Sequence, residues 1–192
     1  MTPLILGLVL FLGMHSVRIV ADGARSRFIA QRGQATWKGL HTVVSVIGLA
    51  LIVWGYSLAR QQPIELWPAQ RWARHLAIPL TLLAFVLLAA AYVPRNGIKA
   101  TLHHPMVLGI KAWALAHLLS NNSLADVLLF GGFLVWAAFN FRAARVRDRA
   151  SNTEYRAGTP VGTSIAVAAG TAAWAAFAFW LHGAWIGVRP MG

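Results

Sequence analysis

A chain of 192 residues that is 58% hydrophobic and only 11% charged lies far below the ~25% charged residues of a soluble domain, and its length allows one domain, 1–192. The net charge of +12 would point to nucleic acid in a soluble protein. Here the Lys and Arg stand between long apolar runs, so no nucleic-acid partner is expected and the lipid bilayer is. There is no cysteine, which excludes disulfides, thiolate metal sites, Cys-held iron–sulfur clusters and covalently attached haem.

Six apolar segments follow one another, at 3–21, 39–58, 75–93, 103–120, 123–142 and 162–186, each near the ~20 residues that cross a bilayer. Only helices and closed barrels satisfy their backbone in lipid, and the strict alternation of a barrel is missing. The fold class expected is all-α, a bundle of about six transmembrane helices. The first segment opens without a basic region and is followed by Arg rather than a small-residue cleavage site, so no cleaved leader is expected. Gly23 to Thr36 reads as an interfacial helix, with Phe28, Ile29 and Trp37 toward the membrane. Trp54, Trp136, Trp174, Trp180 and Trp185 read as belt anchors or helix contacts. Gly131-Gly132 and Ala166 to Ala176 permit close helix packing.

The connections set the orientation. Arg18, Arg25, Arg27, Arg32 and Lys38, then Arg95 and Lys99, then Arg142, Arg145, Arg147, Arg149 and Arg156 fall on one side. Arg60, Arg71, Arg74 and Arg189 fall on the other, and Lys111 lies inside a span. The positive-inside rule makes the first side cytoplasmic. A multi-pass protein of the bacterial inner membrane is expected, with both termini periplasmic.

Seven histidines are the main chemical resource. His75, His103 and His182 lie near span ends, where a headgroup-level role suffices; His15 and His117 lie deeper, where an ionisable side chain is costly and marks a ligand or proton-relay role. Imidazole suits haem iron, zinc or copper. With five acidic residues in all, a carboxylate-rich di-metal site is unsupported. His104 and His117 are 13 residues apart, roughly 20 Å along a helix and about 220° around it, so one metal cannot take both while the helix is regular. Trp113 and Asn121 stand four residues either side of His117 on one helical face. They would suit a porphyrin, though Trp–His packing is also ordinary. Arg18 can pair a propionate or another anion, or reach to the cytoplasmic face. On depth alone, His15 with His41 or His117 with His182 are further ligand pairs.

Two stretches resemble the NnrU family of bacterial membrane proteins and, through it, zeta-carotene isomerase of plants and cyanobacteria. One is Gly13-Met14-His15-Ser16-Val17-Arg18; the other is His104-Pro105, Gly109, Trp113 and Ala116-His117, followed by Leu118 and Leu119. The multi-span layout agrees, so the resemblance covers most of the chain. It implies a role linked to nitrite and nitric oxide reduction in denitrification. Alternatively, it implies a haem-dependent cis–trans isomerase acting on a hydrophobic carotenoid substrate. It further implies b-type haem held by histidines, with the ligand histidines matching His15 and His117 and the remaining motif histidine matching His104. The other readings are a haemless structural or assembly partner of membrane proteins, and a small transporter with Lys111 and Arg18 along its path.

Overall fold

The computed structural model describes residues 1–68 and 70–191. Helix α1 spans Thr2–Val20, α2 Asp22–Arg32, α3 Gln34–Gln61, α4 Arg71–Tyr92, α5 Gly97–Leu102 and α6 Pro105–Ser120. Helix α7 runs over Leu124–Ala150 and α8 over Pro160–Ile186. Each of the last two contains one wider π-turn, at Val127–Gly131 and Phe177–Leu181. Among the described residues β-pairing is limited to two isolated bridges, Glu65 with Ser123 and Asn96 with Thr159. The all-α membrane architecture expected from the apolar runs is the one observed.

Five helices, α1, α3, α4, α7 and α8, are long and apolar enough to cross a membrane. The segment expected at 103–120 is shorter: α6 has 16 residues, about 24 Å at ~1.5 Å per residue, less than the ~30 Å hydrocarbon core. It starts late because His103 has φ +69° and Pro105 occupies the first helical position, where its missing N–H costs nothing. The interfacial segment is the separate helix α2, ended by Gly33 at φ +85°. Only glycine adopts that backbone readily. Thr36 lies beyond the break, in α3. Phe28 meets the Trp37 ring at 5.8 Å, and the Arg25 guanidinium sits 6.0 Å from that ring's centre.

The helices gather into two compact units. In the first, residues 1–69 and 121–143, α1 packs antiparallel on α3 with little space between backbones. A Cβ added to Gly48 would lie 2.8 Å from Phe11 N, so only glycine lets the two helices approach this closely. Val43, Val46 and Val53 of α3 remain exposed, as on a helix that faces lipid. Ser123 caps α7 reciprocally with Asp126. The preceding loop pairs with this helix start through Leu124 N to Ile64 O at 2.8 Å and Leu66 N to Asn122 O at 2.9 Å.

In the second unit, residues 70–120 and 144–192, α4 packs against α6 and α8. Buried Asn96 accepts from Lys99 N at 2.8 Å to cap α5, and its amide donates to Ala90 O at 2.9 Å and Val93 O at 2.6 Å. Trp174 of α8 donates to Thr81 Oγ1 of α4 at 3.1 Å. The backbone N–H groups of Thr159 and Gly97 bond Arg95 O at 2.7 Å and Thr163 Oγ1 at 2.9 Å, fastening the start of α8 beside the start of α5.

Candidate functional site

In the first unit, α1 and α3 bring together residues at similar distances from the turn that joins them. The His15 and His41 rings meet edge-on with centroids 4.8 Å apart. Phe11 stacks on His15 at 4.2 Å, and Trp136 of α7 approaches the same imidazole at 6.0 Å. A groove of about 210 Å³ opens here, lined by His15, His41, Ser45 and the apolar Phe11, Val46 and Leu49.

The hydrogen bonds of this group fix its chemistry. His15 Nδ1 lies 2.7 Å from Phe11 O. A carbonyl only accepts, so Nδ1 carries the proton and Nε2 keeps the lone pair that binds metals. His41 Nδ1 is 3.5 Å from Ser45 Oγ. Trp136 Nε1 is a buried side-chain donor with no acceptor among the described residues, and a buried N–H of that kind calls for a partner.

In the second unit His117 repeats the arrangement of His15. Its Nδ1 is 2.9 Å from Trp113 O, one helical turn back, and the Trp113 ring lies 5.2 Å from the imidazole. The same reasoning puts a proton on its Nδ1. Asn121 lies one residue past the end of α6, so the helical face that spacing assigns to it stops short. Arg18 is exposed near the end of α1.

His104 has a different setting. It follows a tight turn in which His104 N bonds Leu102 O at 2.8 Å across His103, whose φ of +69° and ψ of −51° are rare and strained for a residue with a side chain. Its Nε2 donates to Asp148 Oδ2 at 2.7 Å, and Tyr155 donates to the same oxygen at 2.9 Å. The Tyr155 ring stacks on His103 at 4.1 Å, while Arg145 donates to His103 Nδ1 and stands 4.0 Å from Asp148. Burial, with the hydrogen bond to Asp148 adding to it, pushes the Tyr155 phenol up to about 12. With Nε2 tied to a carboxylate, His104 reads as a residue that fastens the α5–α6 turn to α7 and the following loop.

His182 donates from Nδ1 to Val188 O at 2.6 Å, and His75 is exposed on α4. Among the described residues no group of three or more His, Cys, Asp or Glu could hold a metal ion, so a metal here depends on one or two imidazoles. The sequence reading weighed His41 only as an alternative ligand and took Trp136 as a belt anchor or helix contact. The signal for His41 lies in the α1–α2–α3 hairpin, because residues equally far from an antiparallel turn meet. Trp136 had no such signal.

No curated protein and no solved structure matches the chain. The family model described as NnrU protein matches residues 3–190. The chain therefore belongs to the NnrU protein family.

Proposed function

We propose that this is a multi-pass NnrU protein of the bacterial inner membrane, with periplasmic termini, that holds b-type haem through histidine, His15 in the first unit and His117 in the second being the candidate ligands. The observation that carries the reading is the matched state of these two histidines. Each gives its Nδ1 proton to the carbonyl four residues earlier, which presets the tautomer and orients Nε2 toward a metal. Of the other candidates, His104 spends Nε2 on Asp148 and His103 Nδ1 accepts from Arg145, whereas His182 shares the Nδ1-to-carbonyl bond, to Val188 O rather than to a carbonyl one helical turn back.

The residues present fit the group. In a chain without cysteine, neutral imidazole is the strong iron ligand, and Phe11 and Trp113 place aromatic surface beside the two histidines. With its ring edge-on to that of His15 at 4.8 Å, His41 would help to line the space beside that ligand. Bound haem supplies a redox-active iron. The step it serves belongs either to nitrite and nitric oxide reduction or to double-bond isomerisation of a carotenoid-like substrate, the two activities that the resemblance implies.

Purification from haem-sufficient cells tests this directly. A Soret band is expected, abolished or shifted in His117→Ala or His15→Ala, with His75→Ala and His103→Ala close to the parent. A pure protein that carries no haem and cannot be reconstituted with it would leave a haemless assembly partner as the function.

A further inference from the structure

We infer that the groove beside His15 and His41 binds the hydroquinone head of a membrane-borne quinol, in preference to the oxidised quinone. The inference stands apart from the haem reading, and the two compete only at His15. His15 gives its Nδ1 proton to Phe11 O at 2.7 Å, so Nε2 is the lone-pair side of the ring and accepts a hydrogen bond rather than offering one. A quinol hydroxyl can donate to it. A quinone oxygen, an acceptor only, meets it lone pair to lone pair. Thr42 and Ser45 complete the polar lining, the Ser45 Oγ 3.5 Å from His41 Nδ1. Their hydroxyls can serve the second oxygen of the same ring as donor or acceptor.

Size and position agree with that class of ligand. A cavity of ~150 Å³ takes up benzene, so the 210 Å³ here suits one substituted six-membered ring. Phe11, stacked on His15 at 4.2 Å, gives it a flat apolar wall. Val46 and Leu49 line the groove and are exposed, so an apolar tail can continue from it along α3 among the acyl chains. His15 stands five residues before the end of α1 at Val20, and His41 seven after the start of α3 at Gln34. At ~1.5 Å per residue these are depths of roughly 8–10 Å from the helix ends, within reach of the ring of an amphiphile. Polar atoms facing hydrocarbon without a partner are costly. A ligand with a hydroxylated ring and an apolar tail satisfies the imidazole and matches the lipid-facing rim at once.

The test uses the full chain in phosphatidylcholine nanodiscs under argon. The probe is 2-heptyl-4-hydroxyquinoline N-oxide, a hydroquinone mimic whose fluorescence is quenched on binding. Saturable quenching is expected, and decylubiquinol should displace the probe at about tenfold lower concentration than its dimethyl ether, the effect of one hydrogen bond. In His15→Phe, which keeps a ring and removes the acceptor, that preference should vanish. Val46→Trp fills the groove from its exposed rim and should abolish quenching. Val53→Trp, at an exposed position of the same helix outside the groove, should bind like the parent. The Val46 and Val53 pair decides the matter should His15→Phe fail to fold. An absence of saturable quenching, equal displacement by quinol and ether, a preference that persists in His15→Phe, or unchanged binding in Val46→Trp would each overturn the inference. None of these outcomes bears on the Soret band, so the haem reading stands or fails separately.

Discussion

Tyr56 of α3 donates a 2.6 Å hydrogen bond to Asp126 Oδ1 at the start of α7, across 70 positions of chain. The second oxygen of the buried carboxylate takes the Ser123 hydroxyl at 2.5 Å and the Ser123 N–H at 3.0 Å. This carboxylate therefore joins two membrane helices while it caps one of them. Tyr56→Phe should lower the unfolding free energy by about 1.5–3 kcal/mol, the range for a hydrogen bond to a charged group. Denaturant unfolding in detergent measures it; an unchanged midpoint would mean that water replaces the phenol at no cost.

Gly48 sets how closely α1 approaches α3. A side chain there would press on Phe11 N at 2.8 Å and Phe11 Cβ at 3.0 Å, moving the ring that stacks on His15. Gly48→Leu should cost about 1–3 kcal/mol, as overpacking does, and alter the Soret band of loaded protein. Gly39→Leu, on the same helix with nothing within 4 Å, is the control and should do neither.

Tyr155 titrates abnormally high, at about 12, through burial and its bond to Asp148. Its folded value lies above the ordinary 10, so the neutral phenol is the form that the fold favours. That contribution is complete below pH ~10 and is lost as the pH rises through the folded value near 12. Asp148→Asn should bring the phenol back toward 10, read as the ultraviolet difference between each protein and its Tyr155→Phe counterpart. A value unmoved in Asp148→Asn would assign the whole shift to burial.

A phosphatase reporter fused to the C terminus should be active in the periplasm, as expected from the excess of Arg and Lys in the 22–38, 94–102 and 143–161 stretches between apolar segments. Strong fluorescence from a cytoplasmic reporter at the same place would require an odd number of crossings. Because α6 has only 16 residues, it is the helix whose crossing such a result would withdraw.

The spans were legible because lipid imposes a simple rule, a run of apolar residues of sufficient length, whereas the breaks at Gly33 and before Pro105 fall inside segments that the apolar pattern runs together. His15 and His117 stood out in the sequence as imidazoles within apolar runs. Their Nδ1 bonds follow from helix geometry alone, since the carbonyl four residues back lies within reach of the ring. What the sequence hid depends on how helices turn toward one another. The bond from His104 to Asp148, at 2.7 Å, unites segments whose spacing carries no period. The same holds for Trp136, whose neighbours along the chain are as apolar as those of any lipid-facing tryptophan.

The π-turn in α7 gives that last case a cause. Over Val127–Gly131 the helix is wound wider than its flanks, which absorbs one residue relative to an α-helix. Every side chain beyond it is rotated by about 100° from its place on an uninterrupted helix. Phe133 and Trp136, which meet Phe11 at 5.8 Å and His15 at 6.0 Å, both lie beyond this point. Their facing is thus a matter of phase rather than of composition. Winding the same residues as uninterrupted α-helix would swing the indole about 100° away from His15, and removing one residue within 127–131 as well would bring it back. The tryptophan faces the histidine through the way five residues are wound, which no hydropathy profile records.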